Sequence, residues 1–334
     1  MDTIISFGLE ATRWLQTTFP QLKGFFQFIS LLGLEEFYLA IIPLIYWCLD
    51  KKLGKHLGYT FLFANAFNYL GKHSFRGPRP YWLEPSLGLS TESSYGIPSG
   101  HTEAAAAFYL FLASWFRKGW VWLAALFMVI AMGLSRIYLG VHFVHDVVAG
   151  ILIAVLSLAG YFVWVHYWHD DFSRRILGFR FWIAFLLPFA FLLIYVVVRL
   201  LIGEPDMSVA WQGFIPEAEL EGVEGVVTAV ASLFGLGIGL LLEGSRVRFR
   251  VDGPIWQRAA RYLLGIGVTV ALWGGLKAIL PTDPLMIALP ARFLRYTLTT
   301  LWIGYWGPWT FVRLKLATAD PDPGIKIELK SNGF

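Results

Sequence analysis

Three polar clusters interrupt an otherwise apolar chain, and their residue types suit an imidazole acting on a bound anion. The first, residues 72–80, reads Lys-His-Ser-Phe-Arg-Gly-Pro-Arg-Pro. Pro78 and Pro80 force an extended path, which places Lys72 on a helix and Arg79 on a stiff loop. The second, Pro98-Ser99-Gly100-His101, has the form of a helix start. Ser99 is a good N-cap, Gly100 admits a ligand close to the backbone, and the free N–H groups of the first turn attract an anion. The third runs from Ser135 and Arg136 to His142, His145 and Asp146. His142 and Asp146 are four apart, so on a helix they share a face. The carboxylate can then accept from Nδ1 and leave Nε2 free as a nucleophile. His145 would point about 100° away from Asp146 on a helix and is the weaker candidate.

Each cluster has a plainer reading. Lys and Arg at helix ends commonly snorkel to lipid headgroups. Pro-Ser-Gly before a helix is commonly only a cap. A His–Asp pair can be structural, and His101, His142 and Asp146 together could bind a metal. The conjunction changes the balance: with alternating helices all three clusters emerge on one membrane face, which makes a phosphate site equipped with a nucleophile.

The elements that must position these residues are membrane helices. Of 334 residues, 57% are hydrophobic and 15% charged, against about 25% charged in soluble domains. Clean apolar stretches cover 147–164, 181–198 and 225–242; shorter or interrupted ones cover 31–49, 53–72, 102–116, 120–139, 262–280 and 285–312. The reading is an all-α, polytopic membrane helical bundle of about nine transmembrane helices. Nothing alternates like a barrel strand, and a lipid-exposed backbone must satisfy its own hydrogen bonds. Residues 1–30 read as an interfacial amphipathic segment or a helix packed on the protein itself, 31–170 as the core with all three clusters, 171–316 as additional membrane helices and 317–334 as a cytoplasmic tail. Lys and Arg concentrate around 51–55, 117–118, 174–180 and 246–261, so that face is expected in the cytoplasm and the clusters on the extracytoplasmic or lumenal side, in the plasma membrane or an endomembrane. A single cysteine, Cys48, excludes a disulfide framework and multi-thiolate metal sites. A net charge of +4 without a basic run excludes a nucleic-acid partner.

Lys72-x6-Arg79-Pro80, Pro98-Ser99-Gly100-His101 and Ser135-Arg136-x5-His142-x3-Asp146 together resemble the three-part signature of the type 2 phosphatidic acid phosphatase superfamily. The resemblance covers roughly residues 31–168. It implies a metal-independent, cofactor-free membrane phosphatase acting on a phospholipid, sphingolipid or polyprenyl phosphate through a phosphohistidine intermediate. His142 would be the nucleophile, Asp146 would orient it, and His101 would be the general acid and base. Lys72, Arg79, Arg136 and the backbone around Ser99 and Gly100 would hold the phosphate. A lipid phosphotransferase on the same scaffold is one alternative, and a non-catalytic lipid-binding or transport protein another. The loop 203–222 is expected on the same face, as a lid or a passive connection. Lys277, Arg292 and Arg295 near it would serve as anchors or hold a second phosphate.

Overall fold

The apolar stretches fold into helices, as the need to satisfy backbone groups within lipid requires. The computed structural model describes residues 2–321, so residues 322–334 of the expected tail lie outside the described residues. The helices are α1 (Asp2–Thr18), α2 (Lys23–Leu31), α3 (Glu35–Leu44), α4 (Lys51–Phe75), α5 (Pro80–Leu83), α6 (Gly100–Phe116), α7 (Gly119–Tyr138) and α8 (Val144–Tyr167). They continue as α9 (His169–Arg174), α10 (Leu177–Ile202), α11 (Ile215–Leu242), α12 (Ile255–Val270), α13 (Leu276–Ile279), α14 (Leu285–Leu301) and α15 (Gly307–Arg313). Five-residue π-helical turns extend α3, α11, α12 and α14 at their C-terminal ends.

All nine apolar stretches are helical, yet among the described residues five helices, or six with one bent pair, pass as spans by length and apolarity. Five continuous helices do so: Gly119–Tyr138, Val144–Tyr167, Leu177–Ile202, Gln212–Val247 and Ile255–Ile279. A pair bent by 52°, Pro20–Leu31 with Glu35–Leu49, makes the sixth. The shortfall from nine has a physical origin. α4 carries Lys51, Lys52, Lys55 and Lys72, and α6 and α14 have 17 residues each, with Arg292 and Arg295 in the latter. The bent pair also takes residues 20–30 away from the expected interfacial segment. The N-terminal residues form α1. It packs on the core through Thr12 Oγ1 to the Ile137 carbonyl (3.2 Å) and Gln16 Nε2 to the Tyr138 carbonyl (2.8 Å), while Ile4, Phe7 and Trp14 stay exposed.

α11 is the buried axis of the bundle, packed against α4, α10 and α14. Its small residues Ala229, Ala231, Gly235 and Gly239 permit close backbone approach, which is how helices associate where lipid removes the hydrophobic drive. α8 and α10 instead turn Leu156, Leu193, Leu200 and Leu201 outward, as a lipid-facing surface requires.

Candidate active site

Four chain segments converge at one end of the bundle. α4 supplies Lys72 from its last turn and stops at Arg76, which adopts a left-handed conformation (φ 48°). Gly77 and Pro78 then carry the chain to Arg79, the residue before α5. Lys72 and Arg79 are both buried, and both donate to the Tyr95 carbonyl, at 2.6 and 3.0 Å. Arg79 also donates to the carbonyls of Ser94 (2.6 Å) and Val141 (2.9 Å), so its guanidinium is fixed on three sides.

Ser99 caps α6, its hydroxyl 3.0 Å from Thr102 Oγ1. Its own N–H donates to the Asp146 carbonyl (2.9 Å). Of the two residues expected to offer amides to an anion, Ser99 is therefore engaged, and the free first-turn N–H groups belong to Gly100 and His101. α6 and α8 meet at Gly150, where an added Cβ would lie 2.5 Å from the Ser99 carbonyl oxygen. This close packing keeps the second cluster beside the third.

Arg136 lies buried in the last turn of α7. The turn that follows passes through Gly140 at φ 72°, where a Cβ would meet the Leu87 carbonyl oxygen at 2.0 Å. His142 precedes α8 and does not sit on it, so the assumed helical phase does not hold. The i,i+4 contact nonetheless forms, because Asp146 folds back over the helix start: its Oδ2 accepts from Phe143 N (2.8 Å) and lies 3.3 Å from His142 Nδ1. His145, half-exposed, does not point away as expected, since its Nε2 is 3.2 Å from Asp146 Oδ1.

The tautomer of His142 follows from its neighbours. Arg79 Nη1 stands 3.1 Å from Nε2, and a guanidinium can only donate, so Nε2 presents its lone pair and Nδ1 carries the proton toward Asp146. Burial, then the Arg79 charge, pushes the His142 imidazole well below its usual range, so it is neutral.

A residue between the first two clusters, Glu92, completes the site. Glu92 bonds Arg136 directly, lies 3.1 Å from Arg79 Nη2 and 3.5 Å from His101 Nδ1, and stands 3.9 Å from His142 Nε2. Burial raises its pKa, but the Arg136 and Arg79 guanidiniums outweigh that and hold the carboxyl well below the usual carboxylate range. One carboxylate thus sits where two guanidiniums and two imidazoles converge. The sequence carried a faint signal of it: Glu92 is one of two acids, with Glu84, between the first two motifs. Tyr95 and Glu219 were also missed. The Tyr95 hydroxyl donates to Glu219 on α11 (2.8 Å), which also pairs with Arg76 (3.0 Å) and Arg199 (3.2 Å). Among the described residues no group of three or more His, Cys, Asp or Glu is placed to hold a metal, and His101, His142 and Asp146 are arranged around hydrogen bonds instead.

The expected 203–222 loop ends at residue 214, because α11 begins at Ile215, and it lies on this face: Phe214 stacks on Trp82, rings 4.9 Å apart and within 2° of parallel. Arg292 does not join the site; it bonds Glu224 and lies 3.4 Å from Thr228 Oγ1. Arg295 sits over the Tyr296 ring at 4.7 Å, and Lys277 is exposed.

A helical membrane bundle whose buried cations surround a neutral imidazole defines a class of anion-handling membrane proteins. Within that class, residues 54–170 match the PAP2 superfamily, and residues 227–319 match the PAP2 superfamily phosphatase transmembrane extension. The chain carries a PAP2 superfamily domain followed by that extension. It is 32% identical to mouse (Mus musculus) sphingosine-1-phosphate phosphatase 2 over 142 residues, which is 40% of this chain and 40% of the relative. It is 27% identical to the rat (Rattus norvegicus) glucose-6-phosphatase catalytic subunit 1 over 293 residues, 76% of this chain and 80% of the relative. A probable sphingosine-1-phosphate phosphatase of Dictyostelium discoideum is 27% identical over 150 residues, 41% of this chain and 37% of the relative. The chain thus spans about 40% of the length of the sphingosine-1-phosphate phosphatases that it matches. No solved structure matches it.

Proposed function

We propose that the chain is an integral-membrane phosphatase that hydrolyses a phosphate monoester of a lipid or similar substrate through a phosphohistidine on His142. One observation carries this reading: the Glu92 carboxylate stands in for the phosphate, held by Arg79 and Arg136 between His101 and His142. His142 Nε2 attacks phosphorus as the bond to the leaving oxygen breaks, and Asp146 stabilises the imidazolium that forms. His101 gives its proton to the leaving oxygen. Water then attacks phosphorus, His101 takes its proton, and the P–N bond breaks. Lys72, Arg79, Arg136 and the amides of Gly100 and His101 hold the equatorial oxygens, over which the transition state spreads its charge. Three fixed cations do the work of a metal ion, and the site faces the extracytoplasmic or lumenal side. The relatives named for sphingosine-1-phosphate and glucose-6-phosphate support a phosphorylated small molecule or lipid as substrate.

The decisive experiment is an acid-free quench of wild-type and His142→Ala protein after brief exposure to phosphorus-labelled substrate. Base-stable, acid-labile label on the wild type and none on His142→Ala is the expected result. Label that persists on His142→Ala removes His142 as the nucleophile. A phosphotransferase would give the same label, but would pass it to a lipid hydroxyl instead of releasing inorganic phosphate.

A further inference from the structure

A cavity of about 860 Å³ lies between α4, α8, α10 and α11, one end beside the turn of α4 that carries Lys72 and the other at Lys55. It follows α4 from Lys55 to Phe75, and twenty residues of helix rise about 30 Å, the thickness of the bilayer's hydrocarbon core. Its walls are apolar along most of that length, with Phe63 and Leu70 from α4, Leu187 from α10 and Leu233 from α11, and it opens to the lipid-facing surface at Leu156 of α8.

The end farthest from the catalytic groups is different. Lys55 and Arg180 line it, and no acidic side chain lines the cavity anywhere. Lys55 shares the field of the Glu243 carboxylate, which is itself bonded to Lys51 at 2.6 Å. Arg180 has only a 3.4 Å bond to the Ser173 carbonyl and the Phe172 ring at 5.8 Å, and its Nε is buried without a partner. Two half-buried cations at the mouth of an apolar cavity lined by no carboxylate complement an anion. Lys55 stands seventeen residues before Lys72 on one helix, about 25 Å away, so this anion is not the phosphate at the catalytic groups. A ligand with one anionic group and long apolar chains satisfies both parts of the cavity.

We propose that this cavity binds an anionic phospholipid, its phosphate between Lys55 and Arg180 and its acyl chains along the wall formed by α4, α8 and α10. The lipid acts as a resident of the bundle, bridging the PAP2 domain to the helices that follow it. This assignment does not depend on the phosphatase reading.

The test uses the full chain in nanodiscs of phosphatidylcholine doped with phosphatidylglycerol, with retained lipid counted by native mass spectrometry after mild extraction. Wild-type protein should retain phosphatidylglycerol in preference to phosphatidylcholine by about tenfold or more, since two cations meet one phosphate. The double variant Lys55→Glu, Arg180→Glu should lose that preference. Gly160→Phe should block retention of either lipid: Gly160 lines the cavity, and a Cβ there meets nothing within 4 Å, so the change is tolerated by the fold. Equal retention of the two lipids by the wild type would overturn the proposal. So would a preference that survives the charge reversal, or unchanged retention in Gly160→Phe. If the charge-reversed protein does not fold, the wild-type ratio and Gly160→Phe still decide.

Discussion

At the residue scale the site rests on a few unequal contacts, and single substitutions should separate them. His142→Ala should reduce turnover to background, while His101→Ala should cost about 10²- to 10⁴-fold, least for substrates with good leaving groups. Steady-state rates across a leaving-group series check both. Asp146→Asn should be severe, because Asp146 both orients His142 and caps the start of α8 through Phe143 N. His145→Ala should be mild: its half-exposed ring stacks on Phe143 and meets Asp146 through Oδ1, not through the Oδ2 that faces His142. Glu92→Gln should lower the melting temperature of the free protein, since it leaves two buried guanidiniums without their anion, a loss of about 3–5 kcal/mol. Saturating vanadate should restore most of that melting temperature, and the same thermal scan with and without vanadate reads it. A Glu92→Gln protein as stable as wild type without vanadate would show that the carboxylate is not held as described.

At the element scale, what holds the anion site together is largely outside the three motifs. Gly140 must take φ 72° against the Leu87 carbonyl so that Arg136 and His142 face one space. Gly140→Ala should therefore destabilise by at least the roughly 1–3 kcal/mol of a strained non-glycine conformation, seen as a lower thermal midpoint. α11 reaches the site through Glu219 and the Tyr95 hydroxyl, while the Tyr95 carbonyl holds Lys72 and Arg79. Tyr95→Phe should weaken vanadate inhibition several-fold, in keeping with about 1 kcal/mol for one hydrogen bond, and raise KM more than it lowers kcat. The three motifs were legible because proline, glycine and an i,i+4 spacing act locally. Glu92, Tyr95 and Glu219 were not, because their partners are 44, 23 and 124 residues away in sequence, and only tertiary packing brings them together. The place of His142 was misjudged for a related reason. Its contact with Asp146 arises from a capping carboxylate and not from helical phase.

At the scale of the whole molecule, the apolar stretches read from sequence all became helices, since in lipid no other local structure is open to them. Their number as spans was less legible, because α4, α6 and α14 are short or charged, and α4 and α14 pack on α11 while α6 packs on α7 and α8. The orientation of the bundle remains the most informative global measurement. In a Cys48→Ser background, Ser86→Cys lies exposed beside the site and Ser245→Cys lies exposed near the Lys51–Glu243 pair at the other end. Ser86→Cys should react with an impermeant thiol reagent added from the extracytoplasmic or lumenal side, and Ser245→Cys only from the cytoplasm. The reverse pattern would invert the topology. Native Cys48 should stay unreactive until the protein is unfolded, because it is buried with its thiol 3.2 Å from the Arg258 carbonyl.

The loop that carries Glu92 also has a kinetic meaning. On the proposed reading, every incoming phosphate must displace a carboxylate held beside two guanidiniums by a backbone that bonds the Tyr81 hydroxyl through both its N–H and its carbonyl. Substrates with little else to bind are therefore disfavoured, and those with a large apolar portion overcome the tether with binding energy gained elsewhere. The same tether acts after chemistry. Inorganic phosphate has no apolar portion, so the returning carboxylate evicts it, and the enzyme sheds its product without having to bind its substrate weakly.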